Sequence, residues 1–139
     1  MDVVQLIAED QIGGNRWVQV GHTPRGGRLA RGSMIIGLTE RVNRPGSSTG
    51  VHEAGQGMRV YIRGHEFSLA GGPIKNGDYV TTGVGGLSVS VGRDPVNVYV
   101  AGIALDDAKE GDLFVVHIRP EWIGGTLWQF IKAMFRRKK

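Results

Sequence analysis

Residues 76–118 read NGDYVTTGVGGLSVSVGRDPVNVYVAGIALDDAKEGDLFVVHI, and this stretch decides the fold class. Within it, Leu87, Val89 and Val91 alternate with serines, and the segment 96–100 alternates valine with asparagine and tyrosine. Such alternation predicts β-strands that bury one face, because successive side chains of a strand point to opposite sides of a sheet. Glycine-containing turns separate these runs, which is typical of strands joined in hairpins.

Short segments of the same kind recur along the whole chain. The predicted strands are 17–20, 33–38, 58–62, 79–82, 87–91, 96–100 and 113–118. Residues 21–32 and 43–57 are predicted as long loops, the first of them rich in arginine. Glycine makes up 23 of the 139 residues, more than twice the usual share of ~7%, and lies between the predicted strands. We therefore predict a mainly β protein, with one glycine-rich β-sandwich or barrel-like domain over residues 1–123, long loops and a short C-terminal amphipathic helix.

Two segments of the chain resemble each other. IKNGDYVTT at 74–82 and AKEGDLFVV at 108–116 share a lysine, then Gly-Asp, then an apolar strand. Gly77 and Gly111 are predicted to adopt a positive φ, which glycine tolerates without steric penalty. The aspartate that follows each glycine is predicted to accept hydrogen bonds from nearby backbone amides as the strand begins.

Four acids, Asp106, Asp107, Glu110 and Asp112, lie between two apolar runs. Their spacing does not fit a calcium-binding EF-hand loop, which needs oxygen ligands at alternate positions and a closing glutamate. Adjacent carboxylates on an extended chain point to opposite faces, so Asp106 and Asp107 do not fit the carboxylate pair of a glycoside hydrolase. We interpret the acids as the solvated connection between two strands.

No other pattern indicates catalysis. The histidines, at 22, 52, 65 and 117, show no metal-binding spacing, although two brought together by the fold could bind a metal ion. The chain has no cysteine, which excludes disulfides and thiolate-bound metals. Neither a nucleophile elbow nor a phosphate-binding loop is present. We expect a protein that is not an enzyme, with no catalytic residue, cofactor, metal site or small-molecule substrate.

The net charge of +4 comes from the end of the chain. Residues 136–139 are Arg-Arg-Lys-Lys, and the remaining residues carry 13 bases against 13 acids. A nucleic-acid site should be a basic patch across a face or groove, so we do not expect nucleic acid to be the partner. No apolar run approaches the roughly 18–20 residues that cross a membrane, and the first residues do not form a signal peptide, which predicts synthesis in the cytoplasm.

The segment 124–139, which we call the C-terminal arm, differs from the rest of the chain. Its residues 126–139 read TLWQFIKAMFRRKK, contain no glycine or proline, and space their apolar residues as one face of a helix does. The arm could pack on its own domain, lie on a membrane surface or dock onto a protein, and we expect the last, because tryptophan, phenylalanine and arginine are enriched at interfaces. The predicted interface residues are Trp122, Leu127, Trp128, Phe130, Ile131, Phe135, Arg136 and Arg137.

Residues 76–118 resemble the bacteriophage head-decoration proteins, also called capsid cement proteins. The resemblance lies in the Gly-Asp strand start at 77–80 and in AGIALDDAKEGDLFVV at 101–116. It implies a small β-rich protein of the virion, without enzymatic activity and often trimeric, that clamps neighbouring subunits on the outer surface of the capsid. Its partners would then be the major capsid protein and further copies of itself.

Two other classes of protein stay open at this point. A carbohydrate-binding β-sandwich could use Trp17, Trp122 or Trp128 as stacking platforms, provided that at least two of these rings are exposed on one side. A nucleic-acid-binding β domain would use the arginines of residues 16–44 together with the arm, and its affinity would fall steeply with salt.

Overall fold

The fold is known from a computed structural model, which describes residues 2–31, 34–42, 50–124 and 134. The described strands are β1 (Val3–Ala8), β2 (Ile12–Gly13), β3 (Trp17–Val20), β4 (Gly26–Leu29), β5 (Ile35–Thr39), β6 (Val51–His52), β7 (Gly57–Tyr61), β8 (Gly64–Leu69), β9 (Tyr79–Thr82), β10 (Ser88–Gly92), β11 (Val98–Ala104) and β12 (Leu113–Ile123). A 3₁₀ turn, Val84–Gly86, connects β9 to β10. None of the helices found in this part of the chain is long and apolar enough to cross a membrane.

Five strands close into a barrel in the order β1-β4-β3-β5-β7, with β7 pairing back onto β1. The pair β1–β4 is parallel, with Ile7 opposite Gly26, whereas the other barrel pairs are antiparallel. Alternate side chains of these strands fill the interior, as in other small barrels. Ala8, Val18, Met58 and Val60 are buried there.

A five-stranded antiparallel sheet, in the order β10-β9-β11-β12-β8, packs against one side of the barrel. Its inner face contributes Val80, Phe114 and Val116 to a second core, to which the barrel contributes Trp17 and Leu38. Burial of these apolar side chains holds the two layers together. The strands β2 and β6 form a separate two-stranded pair.

A buried polar contact joins the barrel to the sheet. The Trp17 indole Nε1 donates a hydrogen bond to Ser88 Oγ at 2.6 Å, and Ser88 Oγ lies 2.6 Å from Ser68 Oγ. Trp17, Ser68 and Ser88 are all completely buried. Because an unpaired polar group in a core is costly, this chain of bonds is what allows two serines inside the structure.

The two Gly-Asp segments form equivalent turns that pair with each other. Gly77 has φ 91° and Gly111 has φ 89°, and Ile74 bridges Ala108 through two backbone hydrogen bonds of 2.9 and 2.8 Å. In one turn Asp78 Oδ2 accepts a hydrogen bond from Lys75 N at 3.0 Å, and in the other Asp112 Oδ2 accepts one from Lys109 N at 3.1 Å. The predicted conformation and the predicted aspartate contacts are both confirmed.

β12 is the longest strand that the structure describes, and it contains a bulge. On β11, Val100 lies opposite Glu121, but Gly102 lies opposite Ile118, so β12 carries one extra residue near Pro120. A bulge tolerates proline because the regular ladder is already interrupted there. Beyond the bulge β12 continues to Ile123 with β11 as its described partner.

The prediction of a mainly β protein with a barrel-like arrangement is confirmed. The predicted strands 17–20 and 79–82 match β3 and β9 in both bounds. Of the predicted C-terminal helix the structure describes one residue, Met134, which is helical, so the helix and the division at residue 123 stay predictions.

Three local predictions were wrong. The predicted loop 21–32 contains β4, and the predicted loop 43–57 contains β6, while residues 43–49 lie outside the described part. Apolar alternation in β10 predicted its valines as the buried face, whereas Ser88 is the buried residue and Val89 is half-buried. The hydrogen bond from Trp17 explains this inversion, because it satisfies a hydroxyl inside the core.

Candidate interface

Trp122 is the predicted interface residue that the structure describes, and it lies near the end of β12. It is opposite Tyr99 of β11 in the sheet, and 60% of its surface is exposed. The Tyr99 hydroxyl donates to the backbone oxygen of Ile35 at 3.4 Å, which ties this part of the sheet to the barrel. Trp122 is thus a large, exposed aromatic ring on an anchored strand, the kind of side chain that often dominates a protein interface.

The other predicted interface residues are not placed. Leu127, Trp128, Phe130, Ile131, Phe135, Arg136 and Arg137 all lie outside the described residues. The described strand ends at Ile123, so the arm starts next to Trp122 in the chain.

The acidic connection between β11 and β12 uses its carboxylates to order backbone. Asp106 Oδ2 accepts a hydrogen bond from Val115 N at 3.0 Å, and Asp107 Oδ1 accepts one from Asn76 N at 2.8 Å. With the contact of Asp112 described above, three of the four acids hold turns or strand ends in place. The interpretation of this stretch as a connection between strands agrees with the structure.

Two histidines come together on the sheet. His65 of β8 and His117 of β12 are opposite each other, with ring centroids 5.1 Å apart and an interplanar angle of 78°. The Nδ1 atom of His117 is buried and has no hydrogen-bond partner. In the described part of the chain no group of three or more His, Cys, Asp or Glu residues could hold a metal ion.

A cleft beside β1, of about 490 Å³, is a feature that the sequence analysis missed. It is lined by Ile7, Ala8, Glu9, Asp10, His22, Thr23, Arg28 and Gly55. Glu9 Oε2 accepts hydrogen bonds from Thr23 N and Thr23 Oγ1, both at 2.7 Å, and these bonds lower the pKa of Glu9 from 4.5 to about 2. The carboxylate therefore stays ionised and fixes the turn before β4 against β1.

Arg16 connects the barrel to the 3₁₀ turn. Its guanidinium Nη1 donates to the backbone oxygen of Gly85 at 3.1 Å, while its Nε atom is buried without a hydrogen-bond partner. Burial lowers the pKa of the Arg16 guanidinium, because removal from water disfavours the charged form. Arg16 thus has a structural contact inside the molecule.

Among the described residues, the tryptophans do not form the stacking platform that a carbohydrate-binding module would need. Trp17 is completely buried in the core between barrel and sheet, so its ring cannot stack on a sugar. Trp122 is exposed, and Trp128 lies outside the described residues. The expectation that Trp17 could serve in such a site was wrong.

Comparison with known proteins gives a match in fold. No protein-family model and no curated protein matches the chain. Among solved structures, the chain is similar to the crystal structure of the head fiber gp8.5 N base of bacteriophage phi29, with a TM-score of 0.58 and 20% sequence identity. The match covers 89% of this chain and 98% of that chain, so the two share one fold over nearly their whole lengths.

Proposed function

We propose that the chain is a structural protein of a phage virion and is attached to the head. The observation that carries this proposal is the shared fold with the base of a phage head fiber over nearly the full length of both chains. The resemblance of residues 76–118 to head-decoration proteins supports the same location from sequence patterns alone. A fold can serve several functions, so the proposal rests on the agreement of these two lines.

In finer detail, we propose that the protein decorates the outer surface of the capsid and stabilises it by clamping neighbouring major capsid subunits. A barrel and a sheet that pack together through a shared core form a single body suited to this role. The polar groups described above are used to order turns and to join layers, as in Asp106, Asp107 and Glu9. The proposal includes no catalytic activity, cofactor or nucleic-acid partner.

We propose further that the protein acts as a homo-oligomer, in the form of a trimer, with the C-terminal arm at the contact between chains. Closed cyclic symmetry would present identical surfaces around an axis of the shell. Trp128, Ile131 and Phe135 would anchor the arm, and Arg136 and Arg137 would orient it by charge. Repetition of a modest contact in each chain would give firm attachment through avidity.

The experiment uses shells purified from a phage in which the gene for this protein is deleted. Purified protein is mixed with the shells and sedimented, and bound protein is measured against its free concentration. We expect saturable binding of the full-length protein. A second preparation, which lacks residues 126–139, should remain folded by circular dichroism but fail to bind.

Single substitutions locate the contact within the described domain. Trp122→Ala should weaken shell binding about tenfold or more, as loss of a central aromatic anchor does. The matched control is Val84→Ala, since Val84 is 93% exposed at the tip of the 3₁₀ turn. Failure of the unmodified protein to bind the shells would contradict the proposed function.

A further inference from the structure

The outer face of the five-stranded sheet, directed away from the barrel, is apolar. Phe114, Val116 and Ile118 of β12 point into the core, so Leu113, Val115 and His117 point outward. The register of the sheet extends this face from β12 onto the neighbouring strands. The outward side chains form three rows, Leu69–Leu113, Phe67–Val115–Leu105 and His65–His117–Ile103–Tyr79. We call these nine residues the outer apolar face.

This face differs from an ordinary solvated sheet. An antiparallel sheet with one wet side normally alternates apolar residues inward with polar residues outward. Here the three rows contain no aspartate, glutamate, lysine or arginine. Phe67 is 49% exposed, Leu113 46% and Leu105 38%. A contiguous exposed apolar surface on a sheet is typical of an interaction site.

Negative charge borders the outer apolar face at one end. The connection 106–112, which lies between Leu105 and Leu113, contains four acids and one lysine. A ligand that fits this surface should therefore carry apolar side chains followed by basic ones.

We propose that the outer apolar face receives the C-terminal arm of a second copy of this chain. The arm has the complementary order, with Leu127, Trp128, Ile131 and Phe135 followed by Arg-Arg-Lys-Lys at 136–139. Its apolar residues cover the rows of Phe67 and His117, and its basic residues lie over the acidic connection. This inference rests on the proposed oligomer and identifies the surface that accepts the arm.

Length favours the arm of a second copy over the chain's own arm. Ile123 and Val115 are about 26 Å apart along β12, at roughly 3.3 Å per residue. The helix that the sequence predicts for residues 126–135 would be about 15 Å long, at roughly 1.5 Å per residue, and Gly124-Gly125 would add about 7 Å. If the arm folded back from Gly124 onto its own sheet, its apolar residues would end before the row of Phe67, and its basic residues would lie over apolar rows.

Photo-crosslinking of the full-length protein tests the inference. Phe135→p-benzoylphenylalanine places a photoreactive ring on the arm, and the protein is prepared in ¹⁵N-labelled and unlabelled forms that are mixed before irradiation. Trypsin cleaves after Arg63 and Lys75, so peptide 64–75 contains His65, Phe67 and Leu69 and reports on the outer apolar face.

We expect crosslinks between the arm and peptide 64–75 that combine labelled with unlabelled chains. The control carries the same photoreactive residue at Val84, in the turn between β9 and β10 at the other edge of the sheet from β8, and should not crosslink to that peptide. Crosslinks found only within chains of one isotope, crosslinks confined to other peptides, or none at all would overturn the inference.

A second measurement uses self-association. Phe67→Asp introduces a charge in the middle row of the face, at a half-exposed position on the edge strand β8, and it should raise the dissociation constant of the oligomer about tenfold or more in light scattering. Val84→Asp should leave that constant unchanged. If Phe67→Asp also leaves the dissociation constant unchanged, the inference is wrong. The proposed function still stands in that case, provided that the unmodified protein binds the phage shells.

Discussion

Trp17 shows how one side chain joins the two layers of the molecule. Its ring is completely buried between the barrel and the sheet, and its Nε1 atom donates to Ser88, which in turn contacts Ser68. The ring provides apolar contact, and the single donor fixes which strand of the sheet lies beneath it.

The first prediction concerns this contact. Trp17→Phe leaves a smaller ring and removes the donor to Ser88, so the free energy of unfolding should fall by about 2–3 kcal/mol. The measurement is chemical denaturation followed by circular dichroism. Trp122→Phe is the matched control, because Trp122 is 60% exposed and its replacement should change stability by about 0.5 kcal/mol or less. Equal losses in both variants would contradict the role assigned to Trp17.

Glu9 gives the second prediction, which concerns pH. Its pKa in the folded protein is about 2 against an ordinary 4.5, so its ionised form is stabilising above pH 4.5 and this contribution is lost as pH falls toward 2. Glu9→Gln keeps an oxygen that can accept from Thr23 but removes the charge, so its melting temperature should be lower than that of the unmodified protein at pH 7.

The difference in melting temperature between the two proteins should close as pH approaches 2. Val84→Ala, at an exposed position without a titratable group, should show no such pH-dependent difference. A gap for Glu9→Gln that stays constant from pH 7 to pH 2 would contradict the assigned pKa.

At the scale of elements, the two Gly-Asp turns begin β9 and β12 in the same way. Both glycines have a positive φ, both following aspartates accept a hydrogen bond from the lysine amide three residues earlier, and the two turns pair through Ile74 and Ala108. The turns thus set the start of two strands that belong to the same sheet.

The third prediction separates backbone conformation from packing. A Cβ atom at Gly111 would meet no atom within 4 Å, so Gly111→Ala should destabilise only through its φ of 89°, by about 1–2 kcal/mol. Gly72→Ala is the control, since Gly72 has the same open surroundings without a left-handed φ, and it should be neutral or slightly stabilising. Denaturation curves of the two variants that coincide would contradict this account.

The strands and turns also show which parts of the fold can be predicted from sequence patterns. The first half of β12 follows from alternation, because its side chains alternate between buried and less buried positions, whereas β9 and β11 follow from β-branched runs and turn signals. β4 was not predicted, because its sequence GGRL has low strand propensity. The strand is held by antiparallel pairing with β3 and by parallel pairing with β1, which is distant in the chain. The buried Ser88 was missed for the same reason, since its partner Trp17 is distant in the chain.

The candidate site was predictable only in part. Aromatic and basic composition identified Trp122 and the arm, because such residues are enriched at interfaces. The contact of Glu9 with Thr23 spans 14 residues and depends on the barrel closing, so no local pattern indicates it. The outer apolar face needed the sheet register, which places residues from four strands side by side.

At the scale of the whole molecule, the structure is a barrel and a sheet with one shared core, and it has an exposed tryptophan at the end of its longest described strand. The same fold occurs in the base of a phage head fiber. The proposed function combines these two observations, since it takes the chain as a packed β body that attaches to the head of a virion through its surface and its arm.

Electron cryomicroscopy of shells lacking this protein, imaged before and after its addition, tests the proposed attachment to the head. We expect added density at symmetry-related positions on the outer surface, with a shape that fits the barrel and sheet of several copies around one axis. Shells that stay bare at saturating protein concentration, or density confined to the inside of the shell, would contradict it.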